Sequence, residues 1–181
     1  ACADPAELAA HCEIIVGVVV NAAQTEAVLF GERGAAAAMA PGSLFVMCST
    51  VDPNWSIALE ARLSERGWLY LDAPISGGAA RAAAGEITMM TSGRPDAYPK
   101  AGAALDAMAA KVYKLGDRAG IGSKVKIINQ LLAGVHIADR RHHHLDPGPR
   151  GRHPRTLSGH RAGAVRRVLH LWCSAAIRHE H

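Results

Sequence analysis

The chain has 181 residues, 49% of them apolar and 20% charged, which is enough to bury a real core in one globular domain and part of a second. Its net charge of +4 is unevenly spread: residues 1–138 carry 11 Lys and Arg against 13 Asp and Glu, whereas residues 139–181 carry 9 Arg against 3 acids. The basicity therefore belongs to the tail and does not argue for a nucleic-acid partner of the globular part, and no apolar run reaches the roughly 18 residues that a membrane-spanning helix requires.

Aromatic residues make up only 4%, so the core has to come from Val, Ile, Leu, Met and Ala, which favours close packing of helices on a sheet. The four cysteines, Cys2, Cys12, Cys48 and Cys173, form no CxxC pair, and without a secretory leader the expected compartment is a reducing cytoplasm. In chain order the pattern predicts a short helix before His11. Strands follow over 13–20, 44–50, 69–75, 87–91 and 111–115, with helices in most of the gaps. Most of these strands are about twenty residues apart, too far for hairpins and about right for crossover helices, so the expected fold is α/β with a mostly parallel Rossmann-type sheet. Asp52-Pro53 places an N-cap before a proline at the first helical position, while Pro41-Gly42 and Arg66-Gly67 punctuate helix ends. A last long helix opens near Ile121 and runs through Val125, Ile128, Leu131, Leu132 and Val135, apolar at mostly three- and four-residue steps. After Ala138 this period stops.

Three segments carry chemistry. Residues 71–78 end a strand in Ser76-Gly77-Gly78 and lead into an Ala-rich helix, where open backbone N–H groups and the Ser76 hydroxyl could receive a carboxylate; a plain glycine turn capping a helix reads equally well. Residues 120–130 open the long helix. There Asn129 and Gln130 stand three and four positions after Lys126 and share its face, whereas Lys124 points elsewhere. A lysine on an otherwise apolar helix can serve as a proton carrier when desolvation lowers its pKa; the alternative is a lysine snorkelling at a helix start. In the third segment Val20, Asn21 and Thr50 follow the carboxyl ends of two strands, where an open parallel sheet binds nucleotides and where loop residues also simply cap helices.

Together these segments resemble the 3-hydroxyisobutyrate dehydrogenase family of β-hydroxyacid dehydrogenases. LDAPISGGAARAAAGEITMMTSG looks like the family's substrate-binding motif and GIGSKVKIINQ like its catalytic Gly-x-Gly-x-x-x-Lys motif. VVNAAQTEAVLFG and KIINQLLAGVHIA look most like the L-threonate dehydrogenase branch, and the resemblance covers about residues 1–138. It implies a homo-oligomeric enzyme that transfers hydride between NAD or NADP and a small hydroxyacid, with Lys126 as general acid/base. Asn129 and Gln130 would orient the substrate, Ser76, Gly77 and Gly78 would hold its carboxylate, and Val20, Asn21 and Thr50 would touch the dinucleotide. No metal site is expected. The family's motif usually ends in His-Asn or Asn-Asn, and its threonate branch often in His-Gln, where this chain has Asn129-Gln130.

Two further departures shape the expected organisation. No Gly-x-Gly-x-x-Gly precedes Glu13, so residues 1–117 read as a partial dinucleotide-binding domain from which the pyrophosphate-holding βαβ unit is cut off. Residues 118–138 read as the start of a helical domain, and the lysine-free, Arg- and His-rich residues 139–181 as a disordered tail or the product of a frameshift near Ala138. A nucleic-acid-binding arm or a metal site at His142, His143 and His144 would need interleaved aromatics or ligand spacing that the tail lacks. An inactive fragment is the expectation for the chain itself, and a non-catalytic α/β binding module is the alternative.

Overall fold

The structure is a computed structural model that describes the backbone of residues 1–145 and the side chains of residues 1–135. Residues 139–145 belong to its last helix, while the tail beyond them and the side chains of the His142–His144 cluster lie outside the described residues.

The elements run α1 (Pro5–His11), β1 (Ile14–Gly17), α2 (Ala22–Phe30), a short 3-10 turn (Ala35–Ala37), β2 (Leu44–Met47), α3 (Pro53–Ser64) and β3 (Leu69–Asp72). They continue as β4 (Ile75–Ser76), α4 (Gly78–Ala83), β5 (Thr88–Thr91), α5 (Ala97–Met108), β6 (Lys111–Lys114) and α6 (Ile121–Leu145). Strands β1, β2 and β3 pair in that order, all parallel, with Gly17 beside Met47 and Met47 beside Asp72 in the last row. β4 then pairs antiparallel with β5, and β5 parallel with β6. Asp72 and Ser92 join the two sets by a reciprocal pair of backbone bonds, Asp72 N–H to Ser92 O at 2.9 Å and Ser92 N–H to Asp72 O at 2.8 Å. The strand expected over 69–75 is thus broken at Ala73-Pro74, where proline has no N–H to give the ladder.

β2 is central and buried on both sides, so its sequence Leu-Phe-Val-Met is continuously apolar rather than alternating. Phe45 and Met47 point to one face with Ile15 and Tyr70, and are covered by Leu29 of α2 and Leu59 and Leu63 of α3. Leu44 and Val46 point to the other face with Leu71 and Met89, under Ala97, Ala101 and Leu105 of α5. The alanines let α5 lie close on the sheet, which is how so few aromatic rings suffice.

Capping follows the residue types. Asp52 Oδ1 accepts the N–H groups of Asn54 (2.8 Å) and Trp55 (3.2 Å) ahead of Pro53, and Asp4 Oδ1 accepts that of Glu7 at 2.8 Å ahead of Pro5. Residues 1–126 form one compact unit, and a second begins at Ile127. The first unit includes the opening turns of α6 because that segment is hydrogen-bonded to β3, to Ser92 and to α3, as described below.

Candidate active site

In a parallel sheet the carboxyl ends of neighbouring strands share one edge, and here that edge is the row Gly17, Met47, Asp72. The segments just beyond it contain Val20 and Asn21, then Thr50, then Ser76, Gly77 and Gly78, so all six sit past the same edge.

On the β1 side Asn21 is the N-cap of α2: its Oδ1 accepts Gln24 N–H at 2.9 Å, while Val20 N–H donates to Gln24 Oε1 at 2.8 Å. This reciprocal cap leaves Val18 and Val20 standing out, 64% and 78% exposed. Ser49 Oγ donates to the Val19 carbonyl at 2.7 Å and ties this loop to the end of β2, where Thr50 is partly buried. Two exposed valines at the open edge of a sheet make an apolar surface that a flat ring can cover. Nearby Cys48 is buried, and desolvation pushes its thiol up to about 12.

On the β3 side the chain leaves the sheet through Ser76 and turns at Gly77 (φ 142°) and Gly78 (φ 69°) into α4. A side chain at Gly77 would meet Arg81 Cβ at 2.9 Å in a backbone conformation that residues with a Cβ rarely adopt. Gly77 offers no side-chain cap, so the first amides of α4 have no partner within their helix.

The onset of α6 is seated against the same strand ends. Gly122 packs so closely that a Cβ there would collide with the Met90 carbonyl oxygen, and Gly120 (φ 94°) so closely that one would meet Pro53 O at 2.9 Å. Two glycines of the Gly-x-Gly motif are therefore explained by close approach. Lys126 lies one turn past Gly122 on the same helix face, is 9% exposed, and has no ion-pair or hydrogen-bond partner among the described residues. Desolvation lowers its pKa from the ordinary 10.5. Asn129 and Gln130 follow on α6, within the unit that begins at Ile127.

Residues 1–116 match the family model described as the NAD binding domain of 6-phosphogluconate dehydrogenase. The chain belongs to this family. It is 64% identical over 137 residues to an L-threonate dehydrogenase of Cupriavidus necator, covering 76% of this chain and 46% of that protein. A crystal structure described as 3-hydroxyisobutyrate dehydrogenase from Salmonella typhimurium is 46% identical, superposes with a TM-score of 0.72, and is matched over 76% of this chain and 47% of its own. A Mycobacterium tuberculosis 3-hydroxyisobutyrate dehydrogenase described with L-serine is 31% identical, with a TM-score of 0.64 over 74% of this chain and 45% of its own. The chain thus spans about half the length of the relatives it matches. The fold is the Rossmann-like α/β arrangement of these NAD-binding dehydrogenases, and no helix among the described residues is long and apolar enough to cross a membrane.

Val18, Val20, Asn21 and Thr50 lie past the carboxyl edge of the sheet, where an open parallel sheet can take a dinucleotide, and the 181 residues contain no Gly-x-Gly-x-x-Gly to wrap a pyrophosphate. Among the described residues no group of three His, Cys, Asp or Glu could hold a metal ion.

Sequence reasoning gave no role to Asp72, Ser92 or Ser123, which hold the turn before Lys126. One signal was available: an aspartate ending a strand that otherwise reads Leu-Tyr-Leu.

Proposed function

We propose that this chain carries the lysine and the carboxylate cradle of an NAD(P)-dependent 3-hydroxyacid dehydrogenase acting on a small hydroxyacid of the threonate type. The observation that carries the reading is Lys126: a nearly buried amine with no partner among the described residues, on the helix that starts against the strand leading into Ser76-Gly77-Gly78. A lysine desolvated without a counter-ion has no structural gain to offset its burial, so a task at its Nζ is the better account.

In the oxidative direction the neutral Lys126 amine takes the proton of the substrate hydroxyl as the carbinol carbon becomes a carbonyl; in the reverse direction the ammonium returns it. A bound nicotinamide would supply the hydride acceptor for that carbon. Ser76 Oγ and the backbone N–H groups of Gly77 and Gly78 hold the substrate carboxylate, and Asn129 and Gln130 orient its remaining hydroxyls. Val20, Asn21 and Thr50 border the cofactor, NAD or NADP. Similarity to L-threonate dehydrogenases supports a sugar-acid substrate, and a homo-oligomeric assembly in the cytoplasm belongs to the same reading. On this reading residues 1–117 are part of the dinucleotide-binding domain, residues 118–138 open the helical domain, and residues 139–181 are a basic tail.

Because its pKa is lowered, Lys126 gains neutral, base-competent form as pH rises toward a midpoint below 10.5, so oxidation should accelerate over that range. The test is replacement of the corresponding lysine by alanine in a full-length relative. Removing a general base should cut kcat by about 10²–10⁴ and leave nicotinamide affinity within a few-fold. Turnover that survives the change nearly intact would remove Lys126 from this role.

A further inference from the structure

Asp72 ends β3 with a carboxylate that is 0% exposed and has no ion-pair partner among the described residues. Its Oδ2 accepts Gly120 N–H and Ser123 N–H, both at 2.9 Å, and Ser92 Oγ–H at 3.3 Å. Its Oδ1 accepts Ser123 Oγ–H at 2.7 Å. Ser92 Oγ in turn accepts Gly122 N–H at 2.8 Å. The three amides that open α6 all end on this one carboxylate or on the hydroxyl it holds. The Gly120 and Ser123 amides can only donate, so Oδ2 is an acceptor whichever way the Ser123 hydroxyl is turned. The titratable groups that share its surroundings are Glu60 on α3, Tyr70 on β3 and Tyr98 on α5, none of which brings a positive charge. Among the described residues its direct contacts are backbone N–H groups and hydroxyls, at the end of a helix that favours negative charge, while Arg94 acts on neighbouring Glu60.

We infer that Asp72 is the positioning residue of the site: it docks the opening turn of α6 on the sheet edge and so sets where Lys126 stands. Helical spacing carries the effect. Lys126 follows Ser123 by three positions and Gly122 by four, so the face held by Asp72 and Ser92 is the face that presents the lysine. Lys124, which is exposed, lies off that face. Alanine at position 72 would leave the Gly120 and Ser123 N–H groups without an acceptor, whereas asparagine could keep the network, its Oδ1 accepting in the Oδ2 place and its NH₂ donating to Ser123 Oγ.

The inference rests on the proposed role of Lys126, and its test reads the lysine itself rather than turnover. In the full 181-residue chain, the side-chain signals of Lys126 and Lys124 are followed through pH by NMR, together with amide exchange at Gly120, Gly122 and Ser123, in wild type and in D72A. With the turn released and Lys126 hydrated, its titration should move up toward 10.5 while that of Lys124 stays put. Exchange at the three turn amides should quicken at least tenfold more than at Val46 and Leu71. If D72A does not fold, S123A removes one of the four bonds, keeps the carboxylate, and should move the same signals the same way by less. A folded variant in which Lys126 titrates as in wild type and the turn amides keep their protection would overturn the inference. Loss of the dehydrogenase reading would register separately, as unchanged kcat when the lysine itself is replaced in a full-length relative.

Discussion

Gly122 and Cys48 show how single residues answer to their surroundings. Gly122 has its helix pressed on the Met90 carbonyl, so alanine there must push the turn off the sheet. Overpacking of this kind costs about 1–3 kcal/mol, and urea denaturation of Gly122→Ala should show a loss of that size. Gly134, whose Cβ would meet nothing, should accept alanine without loss. Cys48 sits at the carboxyl edge of the sheet, a place where a reactive thiol would suggest chemistry. With its pKa pushed to about 12 it holds thiolate on the order of one part in ten thousand at pH 8. Iodoacetamide followed by mass mapping of the native protein should therefore label exposed Cys2 well before Cys48. Equal labelling would show that the edge opens far more than its packing allows.

Elements are joined by a few named contacts of unequal weight. α3 starts on the Asp52 cap, and Asp52→Ala should cost about 0.5–2 kcal/mol, the usual range for a lost N-cap. The same helix meets α2 through Arg62, which forms a two-pronged pair with Glu26 (2.6 and 3.3 Å) and lies 4.2 Å over the Phe30 ring. Both charges are partly in water, so Glu26→Gln should cost below about 1 kcal/mol, and Arg62→Ala more, since it also bares the ring. The junction of β3 with α6 carries a pH signature. Burial raises the Asp72 pKa above the ordinary 3.8 against the pull of its hydrogen bonds, so between those two values the folded chain binds more protons than the unfolded one. The sign follows: ionising Asp72 draws on stability, and the stability of wild type relative to Asp72→Asn should fall as pH rises through that window. Denaturation of the two proteins at matched pH values isolates this contribution together with that of Glu60, whose carboxyl the Asp72 charge helps to raise, because carboxylates elsewhere cancel. A difference that grows with pH would contradict it.

At the scale of the whole molecule, the elements expected from periodicity are present, each strand one to four residues shorter than the run that announced it. Local chemistry made them legible: Asp52-Pro53 states its own cap, and the Leu-Phe-Val-Met run its own burial. What stayed hidden depends on partners distant in the chain. The break at Ala73-Pro74 and the reversal of β5 against β4 are decided by pairing with residues 88–92, and the role of Asp72 by donors at positions 92 to 123. The helix α6 also extends to Leu145, past the loss of apolar period at Ala138, through Asp-Arg-Arg-His-His-His-Leu, a run whose propensities alone do not call for it. The candidate site was legible as motifs, Ser76-Gly77-Gly78 and Lys126, while the means of holding Lys126 was not. For the isolated 181-residue chain we expect calorimetric titration with NAD or NADP to give no measurable heat of binding, since no glycine turn wraps the pyrophosphate. Saturable micromolar binding would show that the Val18–Thr50 surface suffices by itself.

The parallel half of the sheet joins near neighbours along the chain. Ile14 meets Leu44, and Leu44 meets Leu69, so β2 finds one partner 30 positions upstream and the other 25 downstream. All three strands are in hand once Asp72 has been made. During synthesis the three-stranded half can assemble as it emerges from the ribosome, before the segment containing Lys126 has been translated. The carboxylate of Asp72 then waits on a finished edge for the donors that arrive last.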